Sequence, residues 1–181
     1  TTDDTTTSSS TSSSSGNYVA VGHSGTIVTS TLKNLWGLTY GNSNFVTVGN
    51  SGTIYTSSDN GSTWIQRTSG TSNFLYGVTY GNSNFVAVGD NGTILTSTDN
   101  GTTWGSKTSG TTETLYGVTY DNSIFVAVGE NGTILTSTDN GTTWDKKTSG
   151  TSNFLYGVTY GNSNFVAVGD NGTILTSTDN G

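Results

Sequence analysis

LYGVTYGNSNFVAVGDNGTILTSTDNGTTWGSKTSGTTET, residues 75–114, is one of three complete copies of a 40-residue block that also occupies 35–74 and 115–154. A fourth copy runs from Leu155 to Gly181, and a partial one covers Gly16–Asn34, where YVAVGHSGTIVTST matches FVTVGNSGTIYTSS at 45–58. Repetition at this period means one supersecondary unit used again and again, each stabilised by the neighbours it stacks on. Every block divides into four short β-branched or aromatic runs, expected as strands at 75–81, 85–89, 92–98 and 102–109. Gly, Asn and Asp stand at the junctions. Asn91-Gly92 and Asn100-Gly101 favour tight hairpins because both residue types tolerate φ > 0. No segment shows a helical period of apolar residues.

Four antiparallel strands in about 40 residues is the size of a propeller blade. The expected fold is therefore all-β: a β-propeller of about five units, with three complete four-stranded blades and partial first and last units. The chain divides into a Thr/Ser-rich N-terminal tail, 1–15, and the repeat region, 16–181.

Each block carries Ser-x-Asp-x-Gly-x-Thr-Trp, at Ser57–Trp64, Ser97–Trp104 and Ser137–Trp144, with a truncated copy at Ser177–Gly181. On these motifs the chain resembles the Asp-box (BNR) β-propellers, including sialidases and photosystem assembly propellers, over about 165 residues. The resemblance implies the fold and a structural turn, not one function. In that turn Asp59, Asp99, Asp139 and Asp179 accept backbone N–H groups. Ser57, Ser97, Ser137 and Ser177 open it. Gly61, Gly101, Gly141 and Gly181 supply φ > 0. Trp64, Trp104 and Trp144 are expected between neighbouring sheets, each contributing on the order of 4–6 kcal/mol before entropy if fully buried.

Composition removes several function classes. There are five basic residues against twelve acidic ones, a net charge of −7, which argues against nucleic acid and anionic membranes. There is no Cys, hence no thiol catalysis, disulfide or thiolate metal site. Sialidases of the resembled group hold a carboxylate with three arginines. Here Arg67 is the single arginine, so no catalytic residues are assigned and no enzyme is expected. His23 is a turn variant at the position of Asn50 and Asp90. The Asn-Gly-Thr sequons are likewise read as turns.

Two constellations remain. Asp90, Glu130 and Asp170 occupy equivalent turns and form a candidate cation ring for Ca²⁺, although no metal site is firmly expected. Trp36, Tyr76, Tyr116 and Tyr156 recur once per unit as candidate ligand-stacking rings. The expected function is a non-enzymatic structural or protein-interaction module, with a glycan-binding lectin as the alternative. The last unit lacks its fourth strand and the first lacks two. The Thr-rich tail either completes the fold within the chain or adds to the open sheet of a neighbour, giving a homo-oligomer or filament. A chain that starts at Thr1 and contains no Met is expected to be secreted or displayed on a bacterial surface after loss of a leader.

Overall fold

The computed structural model describes residues 33–177, together with the backbone of residues 17–21 and 27–31. The tail, His23, Asp179 and Gly181 lie outside the described residues. Two compact units are present, Thr1–Asn34 and Leu35–Gly181. In the first, β1 (Asn17–Val21) and β2 (Ile27–Thr31) form an antiparallel hairpin.

The second unit contains four successive antiparallel sheets. The first is β3 (Leu35–Gly41), β4 (Asn44–Gly49), β5 (Ile54–Ser57) and β6 (Ile65–Arg67). The second is β7 (Leu75–Gly81), β8 (Asn84–Gly89), β9 (Ile94–Ser97) and β10 (Gly105–Lys107). The third is β11 (Leu115–Asp121), β12 (Ile124–Gly129), β13 (Ile134–Ser137) and β14 (Asp145–Lys147). The last has three strands, β15 (Leu155–Gly161), β16 (Asn164–Gly169) and β17 (Ile174–Ser177). Strand order follows chain order in every sheet, as expected of an all-β chain of short hairpins.

Turn chemistry sets these hairpins. Asn82 and Ser83 both have positive φ (45° and 66°) between the paired Gly81 and Asn84, a two-residue mirror-image turn. Asn91 (φ 53°, ψ 37°) and Gly92 (φ 65°) make the next one, closed by Thr93 N–H donating to Asp90 O at 3.0 Å. The outer strand is shorter than the sequence suggests: Gly105–Lys107 rather than 102–109. The reason is local. Thr103 N–H and Oγ1–H both donate to the Asp99 carboxylate (2.9 and 2.7 Å), Ser97 Oγ–H donates to it at 2.9 Å, and Gly101 N–H donates to Ser97 Oγ. Trp104 Nε1–H closes the turn onto Gly101 O at 3.0 Å. Residues bound in this way are not free to pair with β9. The turns at Asp59 and Asp139 repeat the pattern.

The core lies between sheets rather than inside any one of them. Val46, Val48 and Ile54 pack on Leu75, Val78, Phe85, Ala87 and Leu95 of the second sheet. Val86, Val88 and Ile94 pack on Leu115, Phe125 and Leu135 of the third. Val126 and Val128 pack on Leu155, Phe165 and Ala167 of the last. Trp104 and Trp144 face the preceding sheet of the same unit. Trp144 is 8% exposed and Trp104 is half-buried, whereas Trp64, with no sheet of the second unit ahead of it, is 43% exposed.

The innermost strands of successive sheets approach closely. A Cβ placed on Gly77 would lie 2.9 Å from Tyr116 O and 3.2 Å from Val88 Cγ2; on Gly157 it would meet only Val168 Cγ2, at 3.5 Å. Gly77→Ala should therefore destabilise the fold by about 1–3 kcal/mol, and Gly157→Ala should be close to neutral, both read by denaturant unfolding. Hydrogen bonds from Thr103 and Ser97 hold the Asp99 carboxyl down at about 2, and Asp59 and Asp139 are likewise lowered to about 2 by their own Thr and Ser donors. A depressed folded value adds stability above the ordinary value of 3.8, and that stability is lost as pH falls through about 2. Carboxyl-carbon NMR titration should show three midpoints near 2. Asp99→Asn should lower the melting temperature at pH 7 by on the order of 2–4 °C, with little loss at about pH 2.

Candidate functional site

Each innermost strand carries one extra residue. Pairing slips between Leu35 and Gly37, Leu75 and Gly77, Leu115 and Gly117, and Leu155 and Gly157. Trp36, Tyr76, Tyr116 and Tyr156 are those bulged residues, and a bulge redirects its side chain out of the regular alternation. Because the glycine that follows lets the neighbouring strand come close, the four rings line up. Ring centroids are 5.1 Å apart for Trp36–Tyr76, 5.3 Å for Tyr76–Tyr116 and 5.2 Å for Tyr116–Tyr156. Phe74 extends the row beside Trp36 at 5.3 Å, and Phe154 lies 6.3 Å from Tyr116. The two end rings, Trp36 and Tyr156, stay about half exposed.

The candidate carboxylates lie at the same end of the sheets, on the turns that follow β8, β12 and β16. Tyr116 Oη–H donates to Glu130 Oε1 at 2.9 Å, and Thr114 N–H donates to Glu130 Oε2 at 3.3 Å. The Tyr76 phenol lies beside Asp90 and the Tyr156 phenol beside Asp170, each near enough for the carboxylate to raise it above its ordinary value. The two constellations that the sequence kept apart are thus one row of tyrosine–carboxylate pairs. Burial first, then the neighbouring carboxylate, raises the Tyr76 and Tyr116 phenols above their usual value; for Tyr156 the interaction with Asp170 leads.

A shared cation ring is not assembled. Among the described residues no three His, Cys, Asp or Glu side chains gather closely enough to hold a metal ion. Glu130, for one, is held by the Tyr116 hydroxyl and the Thr114 amide of its own neighbourhood. The one sequence trace of the pairing is that tyrosine and acid recur 14 residues apart in three units, a spacing that by itself brings neither side chain to the other; the first unit has Trp36 and Asn50. The turns containing Asp59, Asp99 and Asp139 lie at the opposite ends of the sheets, away from the row. Arg67 is engaged elsewhere, with Nε–H donating to Thr56 Oγ1 at 2.8 Å.

No family model matches the chain, and no curated protein does. Solved structures do. The computationally designed Ika4 protein is similar over 80% of this chain and 90% of its own, at 13% identity and a TM-score of 0.68. YCF48 bound to a D1 peptide is similar over 82% of this chain, at 18% identity and a TM-score of 0.67. YjhT is similar over 80% of this chain, at 7% identity and a TM-score of 0.56. The chain spans 53% of that YCF48 chain and 65% of YjhT. These likenesses concern the fold, and the fold is that of a β-propeller.

A phenol raised in the folded state contributes stability below its ordinary value of 10, and that stability is lost as pH rises through the folded value. Ultraviolet titration of the nine tyrosines should show Tyr76, Tyr116 and Tyr156 ionising last, with unfolding setting in above about pH 10. Glu130→Gln should bring Tyr116 part of the way back, because burial remains.

Proposed function

We propose that the chain is a non-enzymatic protein-interaction module whose aromatic row receives an extended polypeptide segment. The observation that carries this reading is the row itself: Trp36, Tyr76, Tyr116 and Tyr156, placed by four bulges and edged by Asp90, Glu130 and Asp170. Aromatic rings with polar tips supply contact area at low conformational cost. The carboxylates and the net charge of −7 favour a segment with basic residues among apolar ones. Phenols held above their usual value stay protonated near neutrality and do not serve as bases. That a YCF48 structure of the same fold carries a peptide supports the reading. In this reading the Ser57–Trp64, Ser97–Trp104 and Ser137–Trp144 turns are Asp boxes with a structural task.

A lectin with one sugar per unit is less well served. The inner rings Tyr76 and Tyr116 pack on each other tilted at 57° and are partly buried, so the rings left exposed to a sugar are the end ones, Trp36 and Tyr156.

An array of immobilised random peptides, each about a dozen residues long, tests the proposal. The wild-type chain should select peptides mixing basic and aromatic residues, and Tyr76→Ala with Tyr116→Ala should weaken them at least tenfold. Selection unchanged by the double variant, or no selection at all, overturns it. Binding on a glycan array that is lost on Trp36→Ala would instead favour the lectin.

A further inference from the structure

The third sheet differs from its neighbours where the aromatic row crosses it. Residues 71–97 and 151–177 are the same sequence, and 111–137 departs from it. At the end of the sheets that carries the row, Glu113 stands where the others have Asn73 and Asn153. Thr114 stands for Phe74 and Phe154, and Glu130 for Asp90 and Asp170. These three meet in space. Thr114 N–H donates to Glu130 Oε2 at 3.3 Å, and Asn131, next in the same turn, donates Nδ2–H to Glu113 Oε2 at 2.7 Å.

Together they reshape the central step of the row. Phe74 bridges Trp36 and Tyr76, at ring-centroid distances of 5.3 and 6.5 Å, and Phe154 bridges Tyr116 and Tyr156 at 6.3 and 6.5 Å. Between Tyr76 and Tyr116 the bridging position is Thr114, which has no ring. The two phenol rings there are 5.3 Å apart and tilted by 57°. After burial and Asp90, Glu130 also raises the Tyr76 phenol, so its charge reaches both rings of the step. The change has a cost elsewhere. Asn73 Nδ2–H donates to Thr93 Oγ1, and Asn153 Nδ2–H to Thr173 Oγ1, both at 2.8 Å. A carboxylate at 113 has no proton to give, and Thr133 Oγ1, fully buried, has no hydrogen-bond partner among the described residues. A buried hydroxyl left unpaired asks for an explanation, and departures of this kind gather at functional positions.

We propose that this central step seats one arginine side chain of the bound segment, its guanidinium against Tyr76 and Tyr116 and its donors on Glu130 and Glu113. The inference rests on reading the row as a polypeptide site, and adds the position that sets the segment's register. The donors that these carboxylates hold among the described residues are neutral (Tyr116 Oη–H, Thr114 N–H and Asn131 Nδ2–H), which leaves their charge for a cation. A guanidinium is planar, stacks on aromatic faces and carries its donors in a rigid fork, whereas an ammonium is a compact, strongly hydrated charge. A hard metal ion asks for about six oxygens around it, and two carboxylates already engaged with other donors do not supply them. The steps on either side keep Phe74 and Phe154 and suit apolar side chains.

Aromatic-ring NMR of the whole chain tests the seat, with N-acetyl-arginine amide as the probe and the neutral N-acetyl-citrulline amide as its control. The Tyr76 and Tyr116 signals should move with the arginine probe, saturating at millimolar concentration, and should stay in place with citrulline. Glu113→Asn combined with Thr114→Phe gives the third sheet the residues of its neighbours, so circular dichroism should show it folded. It should weaken the response by about tenfold or more. Rings that ignore the arginine probe, or that follow both probes alike, overturn the inference, as does a folded double variant that responds like the wild type. On the peptide array, selection with no preference for arginine over lysine overturns it too, and leaves the row a polypeptide site. An array that selects nothing while the rings still answer arginine overturns the polypeptide as the source of the guanidinium.

Discussion

Sheet-on-sheet burial is the constraint on which everything else in this molecule depends. No sheet has an interior of its own. Val86, Val88 and Ile94 are fully buried only because Leu115, Phe125 and Leu135 of the next sheet cover them. Fully burying such a side chain is worth about 1.5–3 kcal/mol, so an isolated 40-residue block would lose most of its stabilisation. The innermost strands must also come within van der Waals contact, which explains glycine at 37, 77 and 117, where any Cβ would meet the next strand's carbonyl at 2.9 Å.

The turn around each Asp serves the same end from the outside. Its carboxylate is saturated by donors from its own block, so the loop holds its shape without burial. That shape then carries an indole toward the preceding sheet and presents the Asn100 carbonyl to Asn44. At the other end of the sheets the bulge does the reverse. It interrupts regular pairing to turn four rings into one row. One end of each sheet is thus committed to holding sheets together, and the other is left with chemistry to offer.

Much of this was legible in the residues. The 40-residue period set the number of strands per sheet, and Asn-Gly and Asn-Ser pairs marked the turns at 82–83 and 91–92, where the structure has positive φ throughout. The short outer strand was hidden, because Thr102–Trp104 read as strand formers by type while their hydrogen bonds hold the turn around Asp99. The tyrosine–carboxylate pairing was hidden for another reason. Tyr76 lies on a strand and Asp90 on the turn after the next one, and only the bulge at Tyr76, a feature of register, brings them together.

Among the described residues the buried clusters bridge successive blocks, and this bears on how such a chain evolves. Adding or deleting one whole block in register leaves every surviving block with the same kind of neighbours. A change in copy number therefore leaves the packing between blocks intact, and in a propeller it falls instead on the angle through which successive blocks turn about the axis.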